Sequence, residues 1–313
     1  MRFFTQLLFV LLNLAIDHEI VYKLIGWINR RQPCLKAVFV TYPNTEKIAA
    51  RFAPRWLWKR LKWRPYLIGI FEQGGSWGLK FVISSLPHEI YTSENKDNRK
   101  KLLDRAERLR RLIGAEKVLF GFALSSALRS DRWRNDQGEI RVSADDALIA
   151  ALAAVLAAKK MIKECWLDGD PVIFLATRSM IERLEKCLKI NGGMPAIMIN
   201  PQERNKPGFV WPEQLRDRQI LLISLVKEDD LLSFKDLLGP TWIIVNEAYL
   251  KDPIDFVREL SRPEGMPVYQ LCGAKGRTIP DPPGIYQGSM PCCQVISPAN
   301  MEVVVREIKS KHN

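Results

Sequence analysis

The stretch PVIFLATRSMIERLEKCLKI, from Pro171 to Ile190, decides the fold. Its first six residues form a short run rich in β-branched and aromatic side chains, which predicts a strand covered on both faces. A helical pattern follows from about Ser179 to Ile190. The alternation continues downstream: strand Pro195 to Asn200, strand Gln219 to Leu225, helix Asp229 to Leu238, strand Thr241 to Asn246, helix Pro253 to Leu260 and strand Pro267 to Cys272. Upstream, Ser143 with Asp145 and Asp146 in the first turn opens an alanine-rich helix reaching about Cys165. Short apolar strands alternating with helices predict an α/β fold with a parallel, doubly wound sheet.

The earlier chain has a different rhythm. Ala37 to Tyr42 reads as a strand, and Leu67 to Glu72 and Gly78 to Ser84 flank a five-residue glycine turn, Gln73 to Trp77. Ser93 opens a charged helix that Gly114 stops, and Lys117 to Phe122 returns as a strand. The expectation is a sheet of about four strands with at least one covering helix. The division expected is a basic N-terminal mixed α/β lobe over residues 1–142, then a degenerate Rossmann-like domain over residues 143–313.

With 313 residues, 47% of them hydrophobic, the chain can bury a full core, which excludes a disordered tail or a small stapled scaffold. The net charge of +12 is unevenly placed: 21 basic and 9 acidic residues lie up to Arg111, and 26 of each from Leu112 onward. The excess therefore belongs to the first lobe, which argues against a nucleic-acid track along the whole chain. Six cysteines without a C-x-x-C pair, and only three histidines, speak against a zinc site and fit a reducing cytoplasm.

Two segments of that lobe point to a membrane surface. Phe3 to Ile16 is apolar except for Thr5, Gln6 and Asn13, which is short of the roughly 20 residues a spanning helix needs. It reads as a core helix or as an interfacial one. Arg51 to Arg64, RFAPRWLWKRLKWR, has no acid and interleaves basic residues with tryptophans. On a helix Arg55, Lys59 and Lys62 would form one stripe, with Trp56 and Trp63 beside it. Such a composition suits a peripheral helix on an anionic membrane; the plainer reading is a solvated basic helix packed on the lobe. A single-stranded nucleic-acid platform ranks third.

Ligands of doubly wound sheets bind at the carboxyl ends of the strands. The first strand-to-helix turn, Ala176 to Glu182, lacks the glycines of a dinucleotide fingerprint. Thr177, Arg178 and Ser179 could meet an anion at the helix N-terminus, but their Cβ atoms crowd the place a pyrophosphate would take. Glu247, at a strand end, is the best-placed general acid or base. Cys272 to Arg277 reads as an anion-binding nest or, more plainly, as a surface loop.

The order of elements resembles a family. A sheet lobe ends in Phe122-Ala123-Leu124-Ser125-Ser126, a long helix opens at Ser143 to Ala147, the second core strand leaves through Asn200 to Arg204, and a late turn reads Pro283 to Gly288. Over roughly Val118 to Gly288 this looks like the long-chain acyl-carrier-protein reductases, and more distantly like the shikimate-type dehydrogenases. The resemblance implies NADPH, a fatty acyl thioester and an acyl-accepting cysteine, with Arg204 at the adenosine phosphate and Ser125, Ser126 and Asp145 near an inter-lobe cleft. Cys292 and Cys293 are the only late cysteines; Cys292 otherwise reads as a packed thiol. Three functions follow as expectations: a membrane-surface oxidoreductase on a lipid-like acyl group, a non-catalytic relative that binds a ligand or partner, and a binder of phosphorylated metabolites or nucleic acid.

Overall fold

A computed structural model describes residues 19–43, 45–52, 55–131, 133, 146–165, 167, 171–204, 206, 209, 211–247, 253–260, 266–279 and 287–309. The apolar segment 3–16, Ser143, Asp145 and the turn 283–286 lie outside them. The chain forms two compact units: Met1–Asp146 with Gly276–Pro282 and Cys293–Asn300, and Ala147–Lys275 with Pro283–Cys292 and Met301–Asn313. The stretch read as one C-terminal domain is thus shared, since two of its segments group with the first unit.

In the first unit, α1 (Glu19–Arg31) leads into β1 (Leu35–Thr41), the short helices α2 (Glu46–Phe52) and α3 (Arg55–Leu61), the hairpin β2 (Tyr66–Gln73) and β3 (Ser76–Val82), α4 (Pro87–Tyr91), α5 (Lys96–Ile113), β4 (Lys117–Phe120) and α6 (Phe122–Ser130). The hairpin turn is tighter than expected. Gly74 and Gly75, both at positive φ, make a two-residue connection with Gln73 paired to Ser76, the geometry that matches strand twist. Strand β1 runs parallel to β3 and β4, and its run Ala37 to Val40 is fully buried. A fifth strand comes from far away: β10 (Arg277–Ile279) pairs antiparallel with β2. Gln73 secures the same return, accepting hydrogen bonds from the Ile296 and Ser297 amides at 2.5 and 3.0 Å.

Helices α1 and α5 pack closely because Gly26 has no side chain; a Cβ there would lie 1.8 Å from the Leu112 carbonyl oxygen. Three residues on, buried Asn29 holds three segments together. Its Nδ2 donates to the carbonyls of Leu35, Ile113 and Gly114 at 2.9, 3.2 and 3.0 Å, and its Oδ1 accepts from the amides of Cys34 and Leu35 at 3.0 and 2.7 Å. Gly114 ends α5 in the left-handed conformation, as its sequence position suggested. Ser93 instead belongs to a 3-10 turn, Ser93–Asn95, that precedes the helix.

The second unit follows the alternation read from the sequence: α7 (Asp146–Cys165), β5 (Val172–Leu175), α8 (Arg178–Ile190), β6 (Ala196–Ile199), β7 (Leu221–Ser224), α9 (Glu228–Leu232), β8 (Ile243–Asn246), α10 (Pro253–Leu260), β9 (Val268–Lys275), β11 (Ser289–Met290) and β12 (Val303–Glu307). The five parallel strands run in the order β6-β5-β7-β8-β9, with β11 and β12 antiparallel to β9. The fold is α/β. Counting the parallel strands from β5, the order is 2-1-3-4-5, the flavodoxin-like version of double winding rather than the 3-2-1-4-5-6 of the dinucleotide-binding type. Every residue of β5, β7 and β8 is buried, which is why these strands read as unbroken apolar runs. One face packs on Trp211, Phe234 and Trp242, whose rings stack at 5.1 and 5.9 Å; both indole N–H groups donate to backbone carbonyls.

The stretch at Cys272 is neither nest nor loop. Strand β9 runs through it to Lys275, with a bulge where Val304 faces Gly273 and Val305 faces Leu271. Gly273 has φ +114 and backs onto the Met290 carbonyl, so the glycine serves strand geometry.

Candidate functional site at the carboxyl edge of the second sheet

The chain goes from β5 to β6 on one side and then crosses to β7 on the other, so the strand order reverses and the switch point lies between β5 and β7. The backbone ladder continues one residue past the strands: Ala176 N–H donates to Ile199, Leu225 to Leu175 and Glu247 to Ser224, at 2.8 to 2.9 Å. This holds the residues that leave the sheet at one level.

Thr177 is the N-cap of α8 in extended conformation, yet its hydroxyl does not cap the helix; it lies 3.4 Å from Ser179 Oγ. Arg178 and Ser179 are exposed, and the Ser179 carbonyl accepts from Arg183 at 2.5 Å. The three residues singled out in this turn therefore stand together at the switch point, where an anion could meet the first turn of a 13-residue helix.

Next to them runs a row of polar side chains that the sequence reading passed over. Ser224, Asn246 and Gln270 pair in register across β7, β8 and β9, so they share one face, and all three are fully buried. Asn246 Nδ2 donates to Gln270 Oε1 at 3.0 Å, and Gln270 Nε2 donates to the Leu271 carbonyl at 3.1 Å. Ser224 Oγ is buried with no partner among the described residues. A buried hydroxyl left unpaired costs free energy that a ligand or water can recover. Part of the signal was present in LLIS and IIVN, apolar strands that each end on a polar residue; Gln270 stands third in the longer β9, and only the parallel register brings it level with them.

Glu247 follows Asn246 directly. The protein around its carboxyl removes water from it, which raises its pKa above the ordinary 4.5. A carboxyl that holds its proton more tightly at a strand end suits general acid or base chemistry. The other proposed catalytic residue does not join it through a neighbouring strand. Partly exposed Cys292 follows β11, and β11 and β8 flank β9, two strand spacings or about 10 Å apart. A nucleophile–base pair needs about 3 Å. Buried Cys272 is no substitute, because burial pushes its thiol up to about 11, against a lowering by Arg306.

Arg204 leaves β6 through the 3-10 turn Pro201–Glu203 and is held locally. Its guanidinium donates to the Ser233 carbonyl and lies 5.0 Å from the Phe234 ring centroid. Ser125 and Ser126 sit in α6 of the first unit, Ser125 buried with no partner for its hydroxyl among the described residues. Asp145 lies outside the described residues. Those residues contain no cluster of three or more histidine, cysteine or acidic side chains able to hold a metal.

The basic segment of the first unit is shorter than its pattern suggested. Helix α3 ends at Leu61, whose carbonyl accepts from the Ser84 amide at 3.0 Å, so Lys62 and Trp63 do not extend its stripe. Lys62 pairs with Glu89 at 2.5 Å and Trp63 packs on the core. Arg55, Trp56 and Lys59 remain exposed, Trp56 at 71%. No helix among the described residues is long and apolar enough to cross a membrane.

No family model matches the chain, and no curated protein matches it.

Proposed function

We propose that the protein is a membrane-peripheral binding protein whose second unit holds a small, polar-headed, lipid-like ligand at the carboxyl edge of its doubly wound sheet. The buried row Ser224, Asn246 and Gln270, with Glu247 next to Asn246 in the chain, carries this reading. Buried polar groups at a switch point give a ligand's head directional partners, and Thr177, Arg178 and Ser179 offer an anion contact on the same edge. Exposed Arg55, Trp56 and Lys59 in the net-positive part of the chain support placement on an anionic membrane.

Glu247 favours a second reading, an NADPH-dependent reductase of acyl thioesters, because its raised pKa suits proton transfer. The two readings separate in a thermal-shift titration with long-chain acyl-coenzyme A and with NADPH. Ligand at a hundred times its dissociation constant adds about 2.7 kcal/mol. Stabilisation by the acyl compound that is lost in Ser224→Val and Glu247→Gln supports the binding role. Saturable NADPH binding with hydride transfer supports the reductase. Silence with both compounds removes both readings.

A further inference from the structure

The exposed side of α1 points to a partner. At about 100° per residue, Trp27, Ile20, Leu24 and Ile28 fall on one stripe roughly 100° wide. They are 49%, 74%, 56% and 49% exposed, four large apolar side chains in 13 residues. The opposite side carries Tyr22, Gly26 and Asn29 and is buried against the unit. A globular helix buries its apolar stripe. This one buries a narrow, partly polar side and leaves an apolar stripe in water.

The charges around the stripe identify what it meets. Lys23 and Arg30 flank one border, and Arg31 lies at its end with its guanidinium 3.7 Å from the Trp27 ring centroid. The helix's acid, Glu19, is engaged by Arg108 and Lys23. One turn along α5 from Arg108, Arg105 donates to the Trp63 carbonyl, so the segment just after α3 and the start of α1 adjoin the same helix. Exposed Arg55, Lys59 and Arg60 lie in α3, immediately before that segment in the chain. An apolar strip carrying tryptophan and bordered by cations complements a bilayer surface with anionic headgroups. A second copy would bring two such cationic borders together.

We infer that the Ile20–Leu24–Trp27–Ile28 face of α1 lies in the headgroup region of an anionic membrane, with Lys23, Arg30 and Arg31 contacting lipid phosphates or carboxylates. This rests on the membrane-peripheral reading above and names the face that performs it.

The test is flotation of the full chain with phosphatidylcholine vesicles, with and without phosphatidylserine. Wild type should float with the anionic vesicles. Leu24→Ser/Trp27→Ser should lower partitioning about tenfold, and Lys23→Glu/Arg31→Glu about fivefold for each basic residue lost. Lys186→Glu/Lys189→Glu, on the exposed side of α8, should not change it. All substituted positions are exposed, and circular dichroism checks that each variant folds. If a variant does not fold, quenching by brominated phosphatidylcholine replaces it: a smaller quenched fraction in Trp27→Phe than in wild type supports the inference, and an equal one overturns it. If wild type floats and the α1 variants float equally well, the face is wrong and the membrane reading stands. If wild type does not float, both fall. A wild-type dimer that Leu24→Ser/Trp27→Ser converts to monomer assigns the face to a second copy and overturns the inference.

Discussion

Replacing Asn29 by aspartate changes one atom group and tests how the first unit is joined. The amide nitrogen serves three carbonyls within 3.2 Å, and an ionised carboxylate would turn an oxygen toward the same three acceptors. Each buried carbonyl left unpaired costs about 1–3 kcal/mol, and an amide nitrogen has two protons to withdraw. Asn29→Asp should therefore cost about 2–6 kcal/mol at neutral pH, a large part of the roughly 5–15 kcal/mol that holds a domain together. The loss depends on pH. The folded state disfavours the charged form, raising the introduced carboxyl's pKa above its unfolded value of about 3.9. Relative to wild type the variant is least impaired below that value, where the protonated acid restores one donor, and the deficit grows as pH rises through the folded pKa. Urea titrations of both proteins at matched pH values measure it, with Asn29→Ala as a companion whose deficit should stay flat. A deficit below about 1 kcal/mol at neutral pH, or one independent of pH, refutes this account of Asn29.

Three other substitutions probe different terms. Arg99 is buried, pairs with Asp131 at 2.7 and 2.9 Å, and donates to the Ile90 and Thr92 carbonyls; Asp131→Ala strands its charge and should cost about 3–5 kcal/mol in urea denaturation. Glu247→Gln should raise stability at neutral pH: with the folded pKa above 4.5, the wild-type contribution is best at low pH and declines as pH rises through the folded value, and melting curves across pH should show that decline flattened. Gly26→Ala forces α1 away from the Leu112 carbonyl, so a loss of about 2 kcal/mol or more is expected, with earlier proteolysis in α1.

Strands β5, β7 and β8 were legible because both faces are covered, which writes an unbroken apolar run into the sequence. The glycine stop of α5 was legible for a similarly local reason, since Gly114 adopts the left-handed conformation. Helix α1 was missed although Glu19 opens it, Arg30 and Arg31 close it and Ile20, Leu24, Trp27 and Ile28 recur at helical spacing; that spacing suggests a core-facing stripe, whereas the stripe faces solvent. The end of α3 has a local and a tertiary cause: Pro65 has no N–H to continue the helix onto the Leu61 carbonyl, which the Arg64 and Ser84 amides take instead. Strand order was equally hidden, for β6 lies beside β5 while β7 pairs on the other side. At the candidate site, Glu247 stood out by charge, whereas Ser224, Asn246 and Gln270 look ordinary until the register aligns them.

The borrowed strand β10 also sets a timetable. As the chain leaves the ribosome, β2 has its hairpin partner early, but its other edge waits for Arg277–Ile279, and Gln73 waits for Ile296 and Ser297. At about 5–20 residues per second, the interval between residue 146 and residue 300 lasts on the order of ten to thirty seconds. During that interval the nascent first unit carries an open sheet edge able to pair with another chain. Synthesis that stalls within the second unit should therefore yield aggregates nucleated by the first, and residues 276–300 supplied as a peptide should suppress them.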